Sequence, residues 1–345
     1  MSTLHDAASH TWVEGDFEHP NKGLRRSIII ALVFAFGLST IAVALRLWAR
    51  KLTGSKLFLD DYLILVALLF KYGCSIGVTI LLWNGLGSHI TMIPKKNLEV
   101  YFKIGWSNSI VYTGCICFIK LSILALYRRL FSTKQMLFGI YFMGVVVILW
   151  TVSIWVAGAL NCIPVNRFWD PSVEGACIDM GRFYYGMQIP NIVSDLIILV
   201  MPLKVVWSLP IAKSQKILLS GVFIVGGLTL IFDIVRLVAM IHLTRVGPDI
   251  TYNQVPVVVW TCIEAAVGIV AACLPNLRPL FKIEGRGFWS QLRSFSHGSS
   301  RKALNTSTAS TSGNMSIQKG PIDSCVAEEG IEIHRYSAII GDSKE

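Results

Sequence analysis

Residues 137–161 read LFGIYFMGVVVILWTVSIWVAGALN, with no Asp, Glu, Lys, Arg or His among them. About 20 mainly apolar residues in a helix cross a bilayer core, and this run is long enough. Working outward from it, six more runs of the same character stand at 27–48, 60–83, 103–127, 184–207, 218–242 and 255–281. Their length and their lack of polar alternation favour helices over barrel strands, since a lone span must satisfy its own backbone hydrogen bonds. The expected fold is an all-α, multi-pass membrane protein, a bundle of seven transmembrane helices.

Composition agrees. Of the 345 residues, 53% are hydrophobic and 15% charged, against about a quarter charged in soluble domains. The net charge of +10 is not a nucleic-acid signature. Lys and Arg are scattered over the short segments between apolar runs instead of forming one basic face. The lipid bilayer is the partner that composition implies, and no nucleic acid is expected. The first 25 residues hold no apolar run, so no ordinary signal peptide is expected. His5, His10 and His19 have no ligand spacing on a defined element, so no metal site is expected, and no cofactor is called for.

Lys and Arg counts set the expected orientation. The loops after the odd-numbered helices, with the start of the C-terminal tail, carry sixteen, and the other side carries nine. That bias places the N-terminus outside and the C-terminus in the cytosol. Residues 1–26 then form an extracellular tail and 27–282 the helical domain. Residues 283–345, polar and Ser/Thr-rich from about Ser294, form a disordered cytosolic tail by composition. Cys162 and Cys177 share a loop that falls outside, where a disulfide persists; a bridge between them is expected. Which membrane houses the chain is not specified by these features.

Several motifs recur along the runs. Asp60-Asp61-Tyr62 opens the second. Lys120-Leu121-Ser122-Ile123-Leu124 and Tyr127-Arg128-Arg129-Leu130-Phe131 end the third. Cys162-Ile163-Pro164, Phe168-Trp169 and Gly175-Ala176-Cys177 mark the loop after the fourth. Asp195, Pro202 and Trp207 mark the fifth, and Arg236-Leu237 the sixth. Trp260, Glu264, Ala272-Cys273-Leu274-Pro275 and Arg278-Pro279 mark the seventh. In this order and spacing, over about residues 28–282, the chain resembles the fungal rhodopsin-like integral membrane proteins, a seven-helix family of filamentous fungi. The resemblance implies a seven-helix bundle. It also implies roles that are receptor-like in some members and tied to secondary-metabolite genes in others.

The residues speak against retinal. A retinal protein needs a Schiff-base lysine in its last helix, and Pro256–Phe281 holds none. Lys71 and Lys120 are intramembrane, but on the second and third helices. Tyr127-Arg128-Arg129 and Leu274-Pro275-Asn276 also differ from the signatures of G-protein-coupled receptors, and an Arg pair at a helix end follows from topology and the helix dipole alone.

Charges deep in a bilayer are costly and mark function by default. Lys71, Lys120, Asp195, Asp233, Arg236 and Glu264 qualify. Asp233 and Arg236 are three apart and face the same way, so a direct pair is expected, with Glu264 sharing the same Arg. One acid then stays partly uncompensated. Glu264 is the choice, as ligand contact or acid, with Asp195 as the alternative acid and Trp260 one turn above Glu264 as an aromatic wall. Lys71 is expected to pair with Asp195, and Lys120 to snorkel to the interface. Asp60 and Asp61 are expected to cap the second helix. Pro190 is expected to bend the fifth helix near Asp195.

Three functions follow from this reading. The first is a receptor-like protein that senses an extracellular small molecule, apolar or amphipathic, through an intramembrane polar pocket, with a cytosolic signalling partner at the inner loops. The second is an accessory protein or enzyme of secondary metabolism that uses an intramembrane carboxylate as acid. The third is a metabolite transporter. No internal repeat or nucleotide-binding loop supports the third.

Overall fold

The apolar runs close their backbone hydrogen bonds within themselves, and seven membrane-length helices result. We describe them from a computed structural model covering residues 22–131, 133–170, 172–207, 213–245 and 249–277. They are α1 (Lys22–Leu52), α2 (Leu59–Trp83), α3 (Lys95–Leu130), α4 (Lys134–Ala159), α5 (Met180–Trp207), α6 (Lys213–Arg245) and α7 (Val255–Cys273). A 3₁₀ turn, Leu274–Leu277, extends α7. Most helices outrun the apolar stretches read from sequence, because amphipathic turns beyond the bilayer core stay helical; α3 begins at Lys95, not near 103. The chain is an all-α, multi-pass membrane protein. The tails expected at 1–26 and 283–345 lie wholly or almost wholly outside the described residues.

Sequential helices pack side by side and α7 closes the ring against α1 and α6. α3 and α7 are the most enclosed, and α3 also touches α5 and α7. Large apolar side chains on the other helices, such as Phe138, Leu149 and Val238, point outward, as lipid-facing residues do. Inside, small residues let the helices approach closely. A side chain at Gly114 of α3 would meet the Phe70 ring of α2 at 2.6 Å, and Ala67, Ala265 and Ala272 are buried in the same core.

At one end, β1 (Cys162–Ile163) pairs antiparallel with β2 (Ala176–Cys177), and the expected Cys162–Cys177 disulfide joins them. The α2–α3 and α6–α7 connections are stitched together beside it. The Gly87 amide donates to the Thr251 carbonyl at 3.0 Å. The Thr251 hydroxyl donates to the Ser88 carbonyl at 2.7 Å. His89 bonds Asp249 and stacks on Tyr252. Gly87 and Gly85 have φ of 89° and 117°, a region that L side chains rarely adopt. Pro190 and Pro202 lie inside α5, and Pro275 sits in the 3₁₀ turn.

Candidate functional site

On α5, Gln188, Asn191 and Asp195 recur at helical spacing and so share one face, which turns towards α3, α6 and α7. Lys120 of α3 meets it. Its ammonium donates to the Asn191 carbonyl at 2.9 Å, to Asn191 Oδ1 at 2.7 Å and to Ser194 Oγ at 2.6 Å. It also pairs with Asp195 Oδ2 at 3.0 Å. Lys120 is only 2% exposed, so it does not snorkel: four acceptors inside the bundle outweigh the interface. This also corrects the partner expected for Asp195, which binds Lys120 and not Lys71. Lys71 is 1% exposed, and among the described residues nothing forms an ion pair with it.

A second group lies one turn away. Arg236 Nη1 pairs with Glu264 Oε2 at 3.1 Å. It also donates to the Tyr112 hydroxyl, which donates in turn to Glu264 Oε1 at 2.5 Å. The guanidinium lies over the Tyr112 ring, 4.2 Å from its centroid. Arg236 therefore reaches across to α7 and α3, and makes no ion pair with Asp233 on its own helix. Asp233 accepts from Asn191 Nδ2 at 2.9 Å and Gln188 Nε2 at 3.3 Å. Among the described residues, no cation lies within ion-pair distance of it. Glu264, the acid expected to be poorly compensated, has a cation and a phenol; Asp233 has two amides and the neighbouring carboxyls of Asp195 and Glu264. Buried charges need such partners, so the two acids exchange the environments read from sequence.

Lys120, Asp195, Asp233 and Glu264 line one end of a cavity of about 70 Å³. Its walls run along α3 from Ile116 to Tyr127, about 16 Å at the helical rise. They continue through Ile198, Leu199, Gly226 and Gly268 to Ala272 and Pro275, in the half of the bundle away from the disulfide. The lining residues from α3 and α7 are mostly buried, whereas Leu199, Gly226 and Thr229 are half-exposed, and the Asp195 side chain is 23% exposed. There α5 and α6 pack closely: a side chain at Gly226 would meet Leu199 Cδ1 at 2.5 Å. Lys71 and Trp260 do not line it; Trp260 packs on Phe232 with ring centroids 5.6 Å apart.

Beneath the cavity, at the end opposite the disulfide, lies a cluster that sequence reading assigned to capping and topology. Arg46 Nη2 pairs with Asp60 at 2.7 Å and its Nε with Asp61 at 2.8 Å. Arg50 pairs with the same two acids at 3.2 and 3.1 Å, and donates to Asn276 Oδ1 at 2.9 Å. Arg129 reaches Asp60 at 3.5 Å and Asn276 at 3.3 Å. Asp61 does accept the Phe58 amide at 3.0 Å, so it caps α2 as well. Asp60 caps nothing here: its carboxylate is held by the three arginines and Asn276.

The family model for the fungal rhodopsin domain matches residues 45–283. Among similar proteins, a polyenoic acids biosynthesis gene cluster protein, Ba17b, of Metarhizium anisopliae is 31% identical over 281 residues, 75% of this chain and 74% of its own. A SAT4 family membrane protein of Emericella nidulans is 29% identical over 65% of this chain and 58% of its own. The receptor GIN3 of Arthrobotrys oligospora is 23% identical over 73% of this chain and 62% of its own. No solved structure matches. A domain model that spans most of the chain, seven membrane-length helices in a closed ring, and the disulfide loop place this chain in the fungal rhodopsin domain family.

Proposed function

We propose that this protein is receptor-like: a small apolar or amphipathic molecule enters the polar cavity, and the helix end below it carries the response to a signalling partner. One observation supports this above the others. The cavity and the arginine–aspartate cluster share walls. Ala272 lines the cavity and its carbonyl accepts from Arg46 Nη1 at 2.8 Å; Pro275 lines it next to Asn276, which binds Arg50 and Arg129. A cavity of this size holds only a few waters. A larger guest binds as the helices part, and that differential contact is what lets a ligand shift a conformational equilibrium. With the N-terminus outside, the cluster faces the cytosol.

A second reading, an accessory protein or enzyme of secondary metabolism, is favoured by the biosynthesis-cluster name of the Metarhizium relative. One experiment separates the two. A deletion strain is restored with the native gene, with Asp233→Asn, or with the cavity-filling Leu199→Trp, at matched expression. Metabolites and transcripts are then profiled after exposure to spent medium. The receptor reading expects a transcript response that is lost on deletion and in Leu199→Trp, with no less-processed precursor accumulating. A precursor that builds up in Asp233→Asn overturns it in favour of the enzyme, and a normal product trapped in the cells overturns it in favour of transport.

A further inference from the structure

Three carboxylates, Asp195, Asp233 and Glu264, converge at one end of the cavity, each close enough to act on another. Two cations contact them, Lys120 and Arg236; Asp233 has neither, so a proton or a bound cation neutralises it. The cationic donor that lines the cavity is engaged. Lys120 already has four acceptors, more than its three hydrogens. Asn191 Nδ2 is given to Asp233. What the cavity presents at this end is acceptor oxygen. Seven residues along α3 from Lys120, about 10 Å at the helical rise, the Tyr127 side chain lines the same cavity while 6% exposed. Among the described residues, no hydrogen-bond partner meets its hydroxyl. Between the two ends the walls are Ile119, Ile123, Ile198 and Leu199.

We infer that the cavity takes an amphipathic amine, with its ammonium against Asp233 and Asp195 and its apolar body along the isoleucines towards Tyr127. The inference rests on the reading of the cavity as a ligand site and names the class of ligand. An ammonium takes the place of the proton on Asp233 and offers up to three hydrogens to the carboxylates, in charge-assisted bonds that are the stronger kind. An alcohol of the same length offers one neutral bond. A carboxylate meets like charge, and Arg236, whose Nε has no hydrogen-bond partner, is not among the residues that line the cavity.

The test uses the full chain in lipid nanodiscs and three probes with one tail: octylamine, octanol and octanoate. Retention of each radiolabelled probe is corrected for partitioning into empty nanodiscs. The native protein is expected to hold octylamine at least about tenfold more tightly than the other two, as charged hydrogen bonds warrant, and Asp233→Asn to bring octylamine down to the octanol level. A hydroxyl at the far end of the tail, in 8-amino-1-octanol, should tighten binding to the native protein and not to Tyr127→Phe. If octanol or octanoate binds as well as octylamine, and Leu199→Trp blocks them all, the cavity binds ligands but the amine assignment falls. If Leu199→Trp leaves octylamine binding unchanged, both the assignment and the ligand-site reading fall. Should Asp233→Asn not fold, the ranking of the three head groups on the native protein decides by itself.

Discussion

Arg46 Nη1 donates to the carbonyl of Ala272 at 2.8 Å, and the same guanidinium grips Asp60 and Asp61 through its other nitrogens. One side chain therefore ties α1 to the start of α2 and to the last turn of α7, under the floor of the cavity. Its planar fork suits this arrangement; a lysine has no such fork.

Removing that fork leaves two buried carboxylates with Arg50 as the principal cation. Arg46→Met should cost about 3–5 kcal/mol, as for other broken buried ion pairs. Arg129→Met, a partly exposed partner at 3.5 Å, should cost less than about 1 kcal/mol. Thermal melting of the purified proteins in one detergent checks this. Equal melting temperatures for the two variants would sink the claim that Arg46 anchors the cluster.

The two intramembrane lysines should part company under the same substitution. Lys120→Met strands Asp195 and three hydrogen-bond acceptors, and should cost about 3 kcal/mol or more. Lys71→Met removes a buried charge that has no ion-pair partner, and should be neutral or stabilising. In the Lys120→Met/Asp195→Leu double variant part of the loss returns, and the cycle should give a coupling of about 1–3 kcal/mol. Additive losses would mean that the pair at 3.0 Å carries no energy.

Tyr112 stands between Arg236 and Glu264 without being essential to their contact. Tyr112→Phe should cost only about 1–2 kcal/mol, because Arg236 still reaches Glu264 at 3.1 Å. Glu264→Leu should cost more, since it leaves Arg236 buried without its one ion pair. Denaturation by heat under matched conditions ranks the two, and the reverse order would contradict the geometry.

Reduction of Cys162–Cys177 opens a loop with a sequence separation of 15. In the chain-entropy model such a closure is worth about 3 kcal/mol, felt locally as faster proteolysis of residues 163–176. The Lys/Arg bias predicts that this loop faces outward. After mild reduction of intact cells, a membrane-impermeant maleimide should label both cysteines. Protection in intact cells with labelling once the plasma membrane alone is permeabilised would reverse the topology.

The bundle was legible because the bilayer demands long apolar runs, and residues 137–161 satisfy that with no ambiguity. The charged members of the site were legible for the same reason: any ionisable side chain inside such a run stands out. Who pairs with whom was not. Asp195 lies in reach of Lys120 because α3 touches α5, a packing choice that a single chain's periodicity does not encode. The neutral members left a fainter signal. Gln188, Asn191 and Asp195 fall on one face of α5 at three- and four-residue spacing, and that stripe was there to be found. Tyr112 left none, since an aromatic ring in an apolar run reads as core. Arg46 was counted as a marker of sidedness; its place inside the last apolar turns of α1 was the hint that it is buried.

The half-exposed wall at Leu199, Gly226 and Thr229 changes what such a site would measure if α5 and α6 part there. With the connections at the disulfide end held together by Gly87, Thr251 and the His89–Asp249 contact, a guest that parts α5 from α6 would arrive from the hydrocarbon. Occupancy then follows the amount dissolved in the bilayer, not the amount in the medium. Each added methylene enriches a molecule in lipid by about 0.8 kcal/mol, roughly fourfold. Across a homologous series the aqueous dose needed should therefore fall about fourfold per carbon, until the tail outgrows the walls between Lys120 and Tyr127. The length at which that trend breaks would measure the cavity from outside the cell.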